Sequence, residues 1–266
     1  MRSSLATTAR HSRPVRSRNT VSLERALSKL GLASRSQART LITAGRVTVG
    51  GRIVTNPSTR IVPERISIAI DGHTRQAIAA PLTIVLHKPR GYITTRSDPE
   101  GRKTIYDLLT DLPDRVIPVG RLDLATSGLL ILTNDTQLGN WLTDPASEIP
   151  RVYLVTVKGE VTGEAVSRLT SGIMSEGARL AAASAIVRKR SKRESHLTIT
   201  LTEGKNREIR RLLDAVGHPV TQLRRVQFGG LELGTLAPGK WRDVSGAELR
   251  AAFPNYISSR REPRPK

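Results

Sequence analysis

Short strand-like runs succeed one another through the middle of the chain: TIVLHK from Thr83, YITT from Tyr92, a run from Val116 to Val119, YLVTV from Tyr153 and a paired set reaching Thr202. Several have no helix between them. A parallel neighbour needs a crossover of about a dozen residues, whereas antiparallel strands are joined by short turns, so this succession calls for a largely antiparallel sheet. Helical spacing intervenes about Thr104 to Leu109, near Glu164 to Leu169 and from Asn206 to Val216. The expected fold class is therefore α+β, with a mixed, largely antiparallel sheet and flanking helices.

The region before this sheet is patterned on a smaller scale. Leu23, Leu27 and Leu30 recur at helical spacing, with Gly31 placed to end that helix. Ser34 and Gln37 form a capping box for a second helix, whose stripe is Ala38, Leu41 and Ile42 and which Gly45 terminates. Val47, Val49, a Gly50-Gly51 turn and Ile53 then alternate as a hairpin. Arg35 and Arg39 lie one helical turn apart, and Arg46 and Arg52 flank the hairpin, so their guanidinium groups could meet one phosphate-bearing surface; a plain solvated face has the same residues. Asp71-Gly72 closes this pattern. The division expected is a basic disordered arm at 1–19, a small domain at 20–75, a linker at 76–82, a large domain at 83–256 and a basic tail at 257–266.

Charge narrows the partner. With 43 Lys+Arg against 23 Asp+Glu, the net charge is +20, and such an excess points to a polyanion, most commonly nucleic acid. A content of 38% hydrophobic residues is enough for a real core, unlike a disordered basic tail. The absence of cysteine excludes disulfide scaffolds, thiolate nucleophiles, zinc ribbons and iron–sulfur clusters. The five histidines are dispersed and no phosphate-binding glycine loop is present, so neither a metal nor a nucleotide cofactor is expected. No apolar run approaches membrane-spanning length. The first nineteen residues hold five arginines and no acid, a composition shared by a disordered arm and an organellar transit peptide; the arm, and a cytoplasmic protein, is the reading taken.

Two stretches carry candidate chemistry. In GRLDLATSGLLILTND, Arg121 and Asp123 fall on one side of an extended chain, and the apolar Leu129 to Leu132 run is a candidate buried strand. Asp123 is either a turn carboxylate capping backbone amides or a functional acid beside a guanidinium. In EGKNREIRRLLDAVGHPV, Asn206 can cap a helix with the stripe Ile209, Leu212, Leu213 and Val216, ended by Gly217. Arg207, Arg210 and Arg211 then leave that stripe, either as a solvated face or as a nucleic-acid contact.

The segment LERALSKLGLASRSQARTLITAGRVTVGGRIV resembles the alpha-L RNA-binding domain, differing at Gly50, where that family usually has Asn. LHKPRGYITT, GRKTIYDLL, GRLDLATSGLLILTND, RVYLVTVKG and the run from Glu203 to Val244, in this order, resemble the bacterial ribosomal pseudouridine synthases that carry an alpha-L domain. Thr136 departs from the family's usual Gly, and Arg151 stands where a lysine or similar residue is common. The resemblance implies that Asp123 is the essential carboxylate, Tyr153 the ring that stacks on the target base, and Arg210 the partner of Asp123. It also implies RNA contacts at Arg35, Arg39, Arg46, Arg52, Lys88, Arg121, Lys205, Arg207 and Arg211. The implied protein is a monomer without cofactor, acting on rRNA or a pre-ribosomal particle, with the large subunit favoured over the small. Two rivals are weaker. A non-catalytic RNA-binding assembly protein leaves Asp123, Tyr153 and Arg210 without purpose, and 3% aromatic content is poor for a binder built on stacking. A DNA-binding regulator would need a recognition helix that is not recognisable here.

Overall fold

A computed structural model describes residues 20–30, 32–62, 66–74, 81–112 and 116–256. The arm 1–19, the helix end expected at Gly31, most of the linker and the tail 257–266 lie outside the described residues. The chain forms two compact units, Met1–Ile78 and Ala79–Lys266.

In the first unit, β1 (Val21–Ser22) leads into α1 (Leu23–Lys29) and α2 (Arg35–Thr43), followed by β2 (Val47–Val49), β3 (Arg52–Ile53), β4 (Arg60–Ile61), β5 (Ile68–Ile70) and β6 (His73–Thr74). The Ser34–Gln37 capping box forms in both directions. β1 pairs with β4, and the other strands order as β3-β2-β5-β6. Leu23, Ala26, Leu27, Ala38, Ile42 and Val47 are wholly buried between helices and sheet. Ile53 departs from the alternation and is 67% exposed, because its two-residue strand lies at the sheet edge. Asp71 and Gly72, both with positive φ, do not end the unit but form the turn from β5 into β6.

The second unit contains β7 (Thr83–Lys88), β8 (Ile117–Pro118), β9 (Ser127–Thr133), α3 (Thr136–Thr143), β10 (Arg151–Lys158), α4 (Gly163–Ser171), β11 (Ile173–Ser175), β12 (Ala178–Leu180), β13 (Ser184–Arg190), β14 (Glu194–Leu201), α5 (Glu208–Asp214), β15 (Val220–Phe228), β16 (Leu231–Glu232), β17 (Trp241–Asp243) and α6 (Gly246–Ala252). Its nine-stranded sheet runs β13-β14-β10-β15-β9-β7-β17, with β16 beside β15 and β8 beside β9. Among the described strand pairs of this sheet only β15–β9 is parallel. One face buries Ile84, Leu86, Leu130, Leu132, Val155 and Leu197 against residues of α4 and α5. The other buries Val85, Leu129 and Ile131 against α3 and Phe253. The Leu129–Leu132 run is therefore continuous because its successive side chains feed two cores, burial on the order of 2 kcal/mol for each leucine or isoleucine.

Three local expectations fail for identifiable reasons. YITT makes no strand; only Ile93 forms an isolated bridge, to Thr104. The Thr94 hydroxyl instead donates to Leu122 O at 2.9 Å, which ties this segment to the loop before β9. The helix expected about Thr104 to Leu109 is a single 3-10 turn, Ile105–Leu108, capped by Thr104. Asn206 does not cap α5: Arg207 holds that place with φ 49°, and the helix starts at Glu208. Glu208 Oε2 accepts the Lys205 N–H at 3.0 Å, so the turn is closed from inside the helix. No described helix is long and apolar enough to cross a membrane.

Candidate active site

The loop between β8 and β9 alternates as its sequence suggests, with Leu122 buried and Arg121 and Asp123 exposed. It is held from below. Lys88, at the end of β7 and with no exposed surface, donates through Nζ to Asp123 O at 3.0 Å, Thr126 O at 2.9 Å and Pro89 O at 3.1 Å. Burial lowers its pKa to about 8, while the negative charge of Asp123 acts in the opposite direction. Lys88, expected among the RNA contacts, is thus spent within the fold, where it fixes the backbone of the Asp123 loop. Among the described residues the Asp123 carboxylate makes no hydrogen bond and no ion pair, so it is not capping the loop.

Tyr153 lies on β10, 8% exposed, between Ile199 of β14 and Arg225 of β15. Arg151, two residues earlier and on the same face, is buried: its guanidinium donates to Ile149 O, Thr202 O and Leu142 O and lies 4.8 Å from the Phe228 ring centre. Arg225 approaches the same ring at 5.2 Å and donates through Nε to Leu129 O at 2.7 Å. From α5, Arg210 reaches Val220 O and Ala125 O, each at 3.4 Å. It closes no ion pair with Asp123. Burial and the nearby Arg207 weaken its hold on the proton, and Asp123 strengthens it, so the two communicate through the field rather than by contact. Burial pushes Glu208 up to about 7.

These groups share a cleft of about 440 Å³ lined by Asp123, Tyr153, Arg121, Lys205, Arg207, Glu208 and Arg210, with Thr126, Arg151 and Arg225 in its wall. Four buried side-chain atoms lack a partner among the described residues: Thr126 Oγ1, Glu208 Oε1, Arg210 Nε and Arg225 Nη2. All four belong to residues of this cleft. Buried polar groups left unpaired are destabilising, and their concentration around one concavity marks a place shaped for a polar ligand. An unpaired carboxylate sharing a cleft with a largely buried aromatic ring suits attack on, or proton removal from, a stacked planar substrate.

Residues 82–215 match the RNA pseudouridylate synthase family model, and residues 22–66 match the S4 domain. An RNA pseudouridine synthase of Aquifex aeolicus, described as uncharacterized, is 40% identical, the match covering 88% of this chain and 94% of that one. Ribosomal large subunit pseudouridine synthase B of Bacillus subtilis is 36% identical over 86% of this chain and 93% of its own length, and its namesake in Salmonella typhimurium is 38% identical over 88% and 81%. A crystal structure of a pseudouridylate synthase superposes with a TM-score of 0.62 at 26% identity, covering 87% of this chain and 99% of that one. The chain belongs to the RNA pseudouridylate synthases. It isomerises uridine to pseudouridine, and its small first domain is the RNA-binding S4 module expected as an alpha-L domain.

The cations expected on the RNA fall into three groups in this synthase. Arg121 and Arg207 line the cleft, exposed and without a carboxylate partner among the described residues, and Lys205 joins them while bonded to Glu203 at 2.5 Å and Arg179 O at 2.9 Å. On the S4 domain Arg35 and Arg52 are exposed, whereas Arg39 pairs with Glu24 at 3.1 Å and Arg46 clasps Asp71 through two bonds of 2.7 Å. Arg211, like Lys88, lies apart from these: it turns to Ser175 O and Glu176 at the β11–β12 hairpin and is not among the residues lining the cleft. Arg151, marked in the sequence only as a departure from the family's usual residue, joins the cleft with Arg225 and Glu208, which the sequence does not single out. The alternation of RVYLVTVK places Arg151 on the Tyr153 face, a signal that was present; the other two had none.

Proposed function

We propose that this synthase modifies a uridine of large-subunit ribosomal RNA and that Asp123 is its essential carboxylate, with Tyr153 stacking on the flipped base and Arg210 sustaining the charge of Asp123. The target follows the two relatives named for the large subunit. The observation that carries the site is the unpaired Asp123 carboxylate in the one cleft that gathers the unpartnered buried groups. Isomerisation breaks the bond from N1 to C1′, turns the uracil and joins C5 to C1′; the C5 proton leaves and N1 gains one. Asp123 either attacks C1′ or removes the 2′ proton, and both need its ionised form. Tyr153 offers a face for a base taken out of its stack. Nothing is oxidised and no group is imported, so the chain acts without a cofactor, as a monomer on rRNA or a pre-ribosomal particle.

Mapping pseudouridines in rRNA from cells with the gene, without it and with Asp123→Asn tests both parts. One large-subunit pseudouridine should vanish on deletion, return with the wild-type gene and stay absent with the variant, whose RNA affinity persists. A lost site in the small subunit overturns the target; restoration by Asp123→Asn overturns the carboxylate assignment.

A further inference from the structure

The catalytic sheet has a second concavity, on the face turned away from Tyr153. Successive strand residues point to opposite faces, so Leu154 and Thr156 leave the face that Tyr153 and Val155 share with α5. Across the strands Lys189 pairs with His196, His196 with Thr156, and Thr156 with Gln222, while Leu154 pairs with Arg224 and Arg224 with Ser127. These residues, with Arg188 and Arg90, line an open groove of about 570 Å³. On this face α3 and Phe253 cover β7 and β9, but Ile186 on β13 stays 60% exposed.

The groove is chemically one-sided. Arg90, Arg188, Lys189 and Arg224 line it, and no aspartate or glutamate does. Glu194 beside it is engaged by His196 Nε2 at 3.2 Å. A β-bulge between Val187 and Lys189 sets two consecutive cations, Arg188 and Lys189, against the single residue His196, a device that re-aims side chains. The groove neighbours the active cleft: Leu223 lines both, Thr126 lines the cleft and the next residue, Ser127, the groove, and Arg90 in the groove is close enough to lower the proton affinity of Arg210.

We propose that this groove holds the phosphate backbone of the RNA on one side of the target uridine, a second contact surface of the catalytic unit. It rests on the chain acting on RNA and not on which ribosomal subunit supplies it. Positive side chains without acids fit a strand of phosphates, and a groove that neighbours the cleft is placed to receive the chain where it leaves the reacting nucleotide.

The test uses the full-length chain and the double variant Arg188→Glu with Lys189→Glu, titrated onto a fluorescent hairpin RNA of about 30 nucleotides and onto a labelled trinucleotide containing uridine, at several salt concentrations. For the hairpin, Kd should rise at least ~10-fold and the slope of log K against log salt should become shallower by about 2. Trinucleotide binding should stay within about twofold. Arg224→Gln, on β15 three strands away across the groove, should weaken hairpin binding in the same direction, and Lys189→Arg should keep it. Unchanged hairpin affinity and slope, equal losses for both RNAs, or a loss confined to a double variant with a lowered melting temperature would each overturn the proposal.

Discussion

Lys88 and Glu208 show how single buried titratable groups shape the site from within the scaffold. Replacing Lys88 with Met keeps much of its bulk but removes three bonds to carbonyls of the Asp123 loop and its neighbour Pro89. Because a displacement of about 1 Å in a reacting group lowers rate by ~100-fold, turnover of Lys88→Met should fall by about that factor. Its RNA affinity should stay near wild type in a binding titration, and a matching loss of affinity would restore Lys88 to the RNA surface. Glu208 bears on pH. Its pKa is raised from 4.5 to about 7, so the folded state binds this proton more tightly than the unfolded chain does. The stabilisation is complete below pH 4.5 and is lost as pH rises through 7. Urea unfolding should therefore show wild type losing on the order of 2 kcal/mol relative to Glu208→Gln between pH 5 and 8. Parallel pH curves for the two proteins would show that burial does not perturb this carboxyl.

At the scale of elements, the parallel contact between β9 and β15 is registered over only two residue pairs, and Gly128 makes it possible. Its φ is 111°, and a Cβ there would lie 2.1 Å from Arg225 O. Backbone, not a flexible side chain, is the obstacle, so the strands would have to separate. Gly128→Ala should destabilise the second unit by at least about 3 kcal/mol, seen as a lowered melting temperature. It should also reduce activity in the molecules that remain folded, since Arg225 pairs with Tyr153. A melting temperature within a degree or two of wild type would mean that β9 and β15 are not held together here. The same element explains a limit of sequence reading: GLLILT announces a buried strand, but the parallel partner lies almost a hundred residues later, beyond any local pattern. The Ser34–Gln37 box and the Gly50-Gly51 turn were legible because their partners are within three residues.

For the whole molecule, the division at Ile78/Ala79 predicts that residues 79–266 fold alone. This fragment should unfold in one cooperative transition and bind RNA more weakly. Its salt slope should be shallower by at least about 2, the share of Arg35 and Arg52 if each meets one phosphate; an unchanged slope would remove the S4 arginines from the RNA surface. The amino-acid sequence by itself determined the α+β class and local features such as the TIVLHK strand, the Ser34–Gln37 box and the Gly50-Gly51 turn, because periodicity, turns and caps act over a few residues, while its ordered motifs carried the family resemblance. Only the tertiary structure decided which charges stay exposed and which are buried in the scaffold. Lys88 meets Asp123 O across 35 positions, Arg210 meets Ala125 O across 85, and Arg225 meets Leu129 O across 96. A lysine or arginine has the same chemistry in sequence whether it ends in solvent or under a loop. Burial and partners arise when distant strands are brought together, and they separate the exposed Arg121 and Arg207 from the buried Lys88, Arg151 and Arg225.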